Sequence, residues 1–264
     1  MQQQSGRLVC VGTGMTLGSH ISPLSRSYIE QADVVFVLVA DGITEQWIEG
    51  MNSDVRSLQP FYKEGKSRLL SYQQMVDTML VEVRAGKHVV GAFYGHPGVF
   101  ALVPHKAIAT AHEEGYPAHM EPGISAEDCL YADLAIDPGS KGCQHYEASQ
   151  LMFYHRVIDP SAYLILWQLG VAGDKSLTKF ATKAAYRQLL VDTLSKQYPA
   201  EHNVFLYEAA CLPVQSKRVE CIALLQLPEA NVSLKTTLVI PPCRPLQLNK
   251  EMEEQLRQLG SESC

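Results

Sequence analysis

The chain lacks a C-x-x-C pair, a long lysine and arginine cluster, an internal repeat, a low-complexity segment and any apolar run long enough to cross a bilayer. Each absence excludes something. The seven cysteines, Cys10, Cys129, Cys143, Cys211, Cys221, Cys243 and Cys264, are scattered and odd in number, which fits reduced thiols in a cytoplasmic protein rather than a disulfide framework or a zinc site. The longest apolar run, "VVFVLVA" (Val34 to Ala40), falls far short of a membrane span, and the opening "MQQQSGR" has no apolar core of the kind an export signal carries. With 22 Lys and Arg against 28 Asp and Glu, a formal charge of -6 and no basic stripe, the chain is not built around a nucleic-acid backbone. The nine histidines show no ligand spacing, so no metal site is expected.

What the chain does have is length and alternation. Its 264 residues exceed the usual size of one domain, and two are expected: residues 1–138, residues 139–250, and a terminal helix and tail over 251–264. In the first half the β-branched runs "RLVCVG", "DVVFVLVA", "HVVGAF" and "AHMEPG" alternate with helical patterns, which reads as βαβ units and a largely parallel sheet. The clearest helix starts at Leu69 and carries its apolar stripe on Leu69, Tyr72, Val76, Met79, Leu80 and Val83, with Gly86 placed as a left-handed C-cap. Arg68 and Tyr72 then share one face, one turn apart. The Gly/Pro-containing interval "IDPGSKGCQHYEAS" reads as a linker before the strands "AYLILWQLG", "NVFLYEAA", "VECIALLQLP" and "TTLVIPP" of a mixed second sheet, which a long helix over 176–198 interrupts.

Three glycine turns follow successive strands. "VGTGMTLGSH" supplies Gly12 and Gly14, but Leu17 occupies the third place of a G-x-G-x-x-G loop, which excludes a close match to the dinucleotide fingerprint. "GAFYGHPGVF" sets Tyr94 and His96 between glycines, an aromatic face and an imidazole in a loop free to fold round a ligand. "MEPGISAEDCL" turns at Pro122 and Gly123 and places Ser125 to cap a helix whose first turn holds Glu127 and Asp128. Taken singly, each is accounted for as a tight turn or a cap; together they outline one crevice at the C-terminal edge of the sheet.

The stretch "QPFYKEGKSRLLSY" adds Tyr62, Arg68 and Tyr72. Spacing alone leaves two readings open: packing aromatics beside a solvated arginine, or a group of phenols activated by a guanidinium.

These turns resemble the tetrapyrrole methylase superfamily over essentially the whole chain. The blocks "FYKEGKSRLLSY", "FYGHPGVF", "SAEDCLYADLAIDPGSKGCQHYEA" and "LWQLGV" resemble, more narrowly, the borosin peptide backbone α-N-methyltransferases. The resemblance implies a two-domain α/β fold of the class III methyltransferase type, in which S-adenosyl-L-methionine binds between the domains and leaves as S-adenosyl-L-homocysteine. By position, Tyr62, Arg68, Tyr72 and Tyr94 match catalytic residues. Tyr94, His96, Val99, Ser125, Ala126 and Gln168 match cofactor contacts, with Tyr207, Thr236 and Thr237 as looser matches. Because the chain stops at "LRQLGSESC" without an apolar core peptide, it resembles the standalone or split bacterial type, which methylates a separate precursor peptide. The resemblance further implies a homodimer, extended to a heterotetramer when two precursor chains bind, with no nucleic acid and no membrane.

The chemistry suits those residues. An amide nitrogen is a poor nucleophile and its proton is very weakly acidic, so the site must remove that proton and stabilise an imidate oxygen. Tyr72 is the leading base, Tyr62 and Arg68 bind the carbonyl, and Tyr94 orients the cofactor methyl or donates a further hydrogen bond. Methylation of a tetrapyrrole-like or other small metabolite, and non-catalytic binding of cofactor and peptide, are the alternatives.

Overall fold

The computed structural model describes residues 6–261; residues 1–5 and 262–264, which include Cys264 and the end expected to fray, lie outside the described residues. β1 (Arg7–Gly12), β2 (Val34–Leu38), β3 (Val55–Ser57), β4 (His88–Phe93) and β5 (Ala118–Glu121) form one parallel sheet in the order β3-β2-β4-β1-β5. Central strands of such a sheet are covered on both faces, so they read as unbroken apolar runs; every residue of β2 and β4 is buried. Alternation then divides the side chains between two layers. Leu8, Cys10 and Phe36 pack toward α3 (Arg68–Arg84) and α4 (Leu102–Glu113), while Val9, Val35 and Val37 pack toward α1 (Pro23–Gln31) and α2 (Gly42–Glu49).

The helix expected from Leu69 is α3, and its core face is rotated from the expected stripe. Ser71, Met75, Val76, Met79, Leu80 and Val83 are buried, whereas Leu69 is 53% exposed. A serine can lie in this face because its hydroxyl donates to the Phe61 carbonyl at 2.9 Å. Tyr72 packs half-buried against the same core. Gly86 follows the helix at φ 87°, the left-handed geometry that glycine tolerates.

The second sheet joins β6 (Cys143–Glu147), β7 (Tyr163–Trp167), β8 (Asn203–Glu208), β9 (Arg218–Ala223) and β10 (Thr237–Ile240) in the order β6-β7-β10-β8-β9, with β6 parallel to β7 and the other pairs antiparallel. β6 corrects the linker reading: "CQHYE" is a strand whose residues are all half-buried. The long helix expected over 176–198 is shortened to α8 (Ala184–Leu194). Residues 174–179 form a turn instead, because the Asp174 carboxylate takes the Ser176 and Lys179 N–H groups. Between the sheets lie α5 (Ala126–Leu134) and α6 (Pro138–Lys141). Leu130 of α5 and Ile136 beyond it pack on Ile165, Trp167, Tyr207 and Val239, so α5 covers one face of the second sheet. The other face is covered by α7 (Ala148–Phe153) and α8.

The chain ends in α9 (Lys250–Ser261), whose Met252, Leu256 and Leu259 lie along one face and are all exposed. Among the described residues no helix is long and apolar enough to cross a membrane.

Candidate active site

The three glycine turns meet backbone to backbone. A Cβ built on Gly12 would lie 2.5 Å from the Gly95 carbonyl oxygen and 2.7 Å from the Gly123 Cα, and one on Gly123 would lie 2.4 Å from the same oxygen. Gly14 and Gly95 also exchange backbone hydrogen bonds, at 3.2 and 2.9 Å, with both residues at positive φ. The crevice expected from three separate turns is therefore one interlocked floor, made of main chain because no side chain fits. Its far wall comes from the second domain. The Thr16 hydroxyl donates to the Ala210 carbonyl at 3.1 Å and the Leu17 N–H to the Cys211 carbonyl at 2.9 Å, tying the first loop to the chain beyond β8.

The residues expected to touch a cofactor fall into two groups. Tyr94, His96, Val99, Ala126 and Gln168 all keep exposed surface, and Tyr94 and His96 flank Gly95. Tyr94 is 53% exposed, and desolvation first, then the neighbouring Tyr72, pushes its phenol pKa up. The His96 Nδ1 accepts the Gly98 N–H at 2.9 Å, so in the neutral ring the proton sits on Nε2. Gln168 takes the left-handed conformation, φ 56° and ψ 42°, directly after β7, a strain of about 1–2 kcal/mol for a non-glycine residue. Ser125 is nearly buried, and its hydroxyl is engaged in a reciprocal cap with Asp128, donating to the carboxylate at 2.8 Å and accepting the Glu127 and Asp128 N–H groups at 3.2 and 3.3 Å.

The second group lies deeper. Tyr207 is 1% exposed, and its hydroxyl donates at 2.8 Å to Asp133 of α5, a half-buried carboxylate. Thr236 and Thr237 are buried in the second domain, and the Thr236 hydroxyl donates to Glu208 at 2.5 Å while accepting the Ser233 N–H at 2.8 Å. The Thr236 carbonyl accepts the Leu169 N–H at 3.2 Å, which ties Thr236 to the chain just after Gln168.

The phenols and the arginine do converge. The Tyr62 and Tyr72 rings stand edge to face, 6.1 Å between centroids. Burial first, then the neighbouring phenols of Tyr72 and Tyr94 and a hydrogen bond with Tyr72, hold the Tyr62 pKa well above the ordinary phenol value, with Arg68 pulling the other way. Tyr62 is thus a protonated donor. Arg68 is more unusual: 15% of its side chain is exposed, Asp174 lies 3.9 Å away, and among the described residues its guanidinium makes no hydrogen bond. The only fully buried side-chain polar atoms without a partner among the described residues are His88 Nε2 and the Tyr198 hydroxyl, so the unpaired Arg68 nitrogens keep some solvent-exposed surface.

Two cleft residues escaped the sequence reading. Glu147 ends β6 in register with Trp167, one residue before Gln168, and burial raises its carboxyl pKa against the pull of Arg68. Asp174 sits in "GDKSLTK", where an Asp two residues before a Ser signals a turn but gives no hint of a partner over a hundred positions earlier. Trp167 also walls the cleft. Its indole donates to His145 Nδ1 at 3.2 Å, and Phe100, beside Val99, packs on it at 5.4 Å.

Among the described residues no three His, Cys, Asp or Glu side chains gather to hold a metal. Comparison with known proteins gives a consistent family. Residues 7–223 match the family described as Tetrapyrrole (Corrin/Porphyrin) Methylases. The chain is 43% identical over 258 residues to a methyltransferase/ribosomally synthesized type I borosin cyclic peptide precursor of Coprinopsis marcescibilis, covering 94% of this chain and 66% of the relative. It is 42% identical to the methyltransferase/omphalotin A precursor of Omphalotus olearius, covering 91% of this chain and 59% of the relative. The chain thus spans about three-fifths of the length of these relatives, and 30% of a type III borosin precursor of Anomoporia bombycina. Among solved structures, the cobalt precorrin-4 methyltransferase aligns with a TM-score of 0.63 at 16% identity over 91% of this chain and 97% of the other. The Thermus thermophilus uroporphyrin-III-C-methyltransferase aligns with a TM-score of 0.65 at 15% identity over 90% and 93%.

Proposed function

From a chain that belongs to the tetrapyrrole (corrin/porphyrin) methylases, we propose a methyltransferase that uses S-adenosyl-L-methionine to methylate backbone amide nitrogens of a peptide, the activity named by neither fold nor family alone. One observation carries this reading: Arg68, nearly buried and with its guanidinium donors unused, stands with Tyr62 and Tyr72, whose phenols neighbour that of Tyr94, the residue before Gly95. Guanidinium donors lined up with no protein partner are available to a ligand's oxygens, which can complete them. A peptide carbonyl, which becomes an imidate oxygen when its N–H proton leaves, is such a ligand. The borosin names of the 43% and 42% identical relatives support the same substrate class.

The cofactor fits the walls that are present. The main-chain floor at Gly12, Gly95 and Gly123 accepts close approach, the exposed faces of Tyr94, Phe100 and Ile124 offer apolar contact, and His96 and Gln168 offer polar contact at the rim. Bound there, S-adenosyl-L-methionine supplies an electrophilic methyl group on a sulfonium.

The chain's own residues do the rest. Arg68 and protonated Tyr62 bind the carbonyl oxygen and stabilise the charge it gains. Tyr72, beside Tyr62 and one turn from Arg68, takes the amide proton as the general base. Tyr94 orients the methyl group toward the nitrogen. The peptide lies extended, and small apolar side chains are favoured at the acceptor because charged ones must be desolvated.

The reading extends to delivery of the peptide as a separate chain and to a homodimer, in which a second copy covers the exposed Met252, Leu256 and Leu259 face. The test is tandem mass spectrometry of purified protein mixed with S-adenosyl-L-methionine and candidate precursor peptides. Stepwise methyl additions on backbone nitrogens are expected. Cofactor binding without transfer to any peptide would overturn the reading and return the case to a small-metabolite methyltransferase or a binding protein. Light scattering of the purified protein tests the dimer, and a monomer mass rejects it.

A further inference from the structure

Arg68 faces a carboxylate from the other domain. Asp174 follows β7, 1% of its side chain is exposed, and its Oδ2 stands 3.9 Å from the guanidinium. The carboxylate is already engaged: Oδ1 accepts the Ser176 N–H at 3.1 Å and the Ser176 hydroxyl at 2.5 Å, and Oδ2 accepts the Lys179 N–H at 2.9 Å. These bonds fold residues 174–179 into a tight loop with Leu177 at φ 56°. The outer edge of that loop holds the catalytic segment: the Leu177 carbonyl accepts the Arg68 N–H at 2.8 Å and the Thr178 carbonyl accepts the Gly65 N–H at 3.1 Å.

We propose, on the methyl-transfer reading above, that Asp174 is the positioning residue of this site: it supplies the counter-charge of Arg68 from the second domain while standing too far away to occupy its donors. A separation of 3.9 Å retains Coulomb attraction but is too long for a hydrogen bond. The guanidinium is therefore held in place and its N–H groups stay available for the substrate's oxygen. Placing the loop and balancing the charge are done by one side chain.

The other charged and titratable groups around Arg68 are consistent with that role. Burial raises the Glu147 carboxyl pKa despite Arg68, so Glu147 is the poorer counter-ion. Burial also opposes ionisation of Asp174, but hydrogen bonds from Ser176 and Lys179, with Arg68 behind them, prevail and hold its pKa below the ordinary value. Tyr62 is near enough to feel Arg68, Tyr72 and Tyr94, and the Lys179 ammonium feels the Asp174 carboxylate.

The experiment compares wild type with Asp174→Asn, Asp174→Glu and Ser176→Ala. It measures peptide methylation against pH, S-adenosyl-L-methionine binding by calorimetry, and tyrosine ionisation by ultraviolet absorbance. Asp174→Asn is expected to lower kcat on the order of tenfold or more and leave cofactor affinity within about threefold. It should also move the midpoint of the rising pH–rate limb down by about half a unit or more, since an uncompensated guanidinium favours tyrosinate. Asp174→Glu keeps the charge but reaches the guanidinium and occupies its donors, so kcat falls while the midpoint stays. Ser176→Ala loosens the loop without changing charge and leaves the midpoint where it was.

Wild-type kcat in Asp174→Asn, or an unmoved midpoint, overturns the proposal. Should Asp174→Asn lose cofactor binding, Asp174→Glu decides, and wild-type kcat there overturns it equally. If wild type methylates no peptide, the methyl-transfer reading fails by itself. The absorbance titration then decides the role of Asp174: a phenol ionising at lower pH in Asp174→Asn supports it, and superimposable curves reject it.

Discussion

The Tyr62 ring meets the Tyr72 ring at 88°, 6.1 Å between centroids, so the two phenols form an unlike pair rather than a duplicate. Tyr62 comes from the short turn after Gln59–Phe61 and packs inward, its proton retained mainly by burial. Tyr72 comes from the first turn and a half of α3, fixed by the same helix that carries Arg68. An unlike pair can divide the labour of donor and acceptor.

That division is tested by Tyr72→Phe. Removal of the hydroxyl is expected to lower turnover on the order of a hundredfold or more while the ring keeps its packing, with cofactor affinity unchanged within about twofold. Single-turnover methylation at saturating cofactor measures it; wild-type turnover would remove Tyr72 from the role of base.

Arg68→Lys keeps the charge and loses the planar fork. If Arg68 binds the developing oxyanion through its N–H donors, kcat should fall on the order of tenfold to a hundredfold more than cofactor affinity does. Equal loss in both would mean that the arginine holds the cleft together and does not act on the substrate.

Gly12→Ala brings a methyl group to within 2.5 Å of the Gly95 oxygen and 2.7 Å of the Gly123 Cα. Both contacts are main chain, so relief requires the turns to separate, at a cost of about 1–3 kcal/mol. A lower denaturation midpoint together with lost cofactor binding is the expected pairing; a variant that binds normally would show the floor to be slack.

Tyr207→Phe separates packing from contact. Its hydroxyl serves the Asp133 carboxylate, which keeps the Lys217 ammonium at 3.0 Å as a second partner. We expect a loss of about 1–2 kcal/mol in stability and near-normal cofactor affinity. A tenfold fall in affinity with unchanged stability would restore Tyr207 as a cofactor contact.

Alkaline pH should destabilise the fold. The pKa values of Tyr62, Tyr131, Tyr198 and Tyr207 are all raised, burial being the largest cause in each, and the buried Cys10 thiol is pushed up to about 12. In the unfolded chain the thiol titrates near about 8.5 and the phenols near about 10. Above those values the unfolded state binds fewer protons than the folded one, so stability falls with rising pH, by up to ~1.4 kcal/mol per group per pH unit. Denaturant midpoints should hold steady through neutrality and drop beyond about pH 9 to 10; a flat profile to about pH 11 would contradict it.

How much of this was legible in the sequence follows from where each signal is stored. β1, β2 and β4 announce themselves because strands buried on both faces are uninterrupted apolar runs. β6 did not, since "CQHYE" is half-buried throughout and mixes polar with aromatic residues. The Ser125 cap was visible because capping is local. The pairing of Arg68 with Asp174 was not, because charge partners in different domains leave no mark in spacing. The glycine turns were read as three; that they touch one another is a property of the folded sheet order, in which β4 and β5 flank β1.

That contact has a consequence for anyone seeking to remodel the protein. The loops after β1, β4 and β5 are not interchangeable modules, because each carries a glycine whose missing side chain is space already occupied by another. A segment transplanted from a distant methylase must bring the gap along with the loop. Diversity in ligand preference is therefore easier to engineer at Phe100 and Ile124, whose side chains are exposed and fill none of the three gaps.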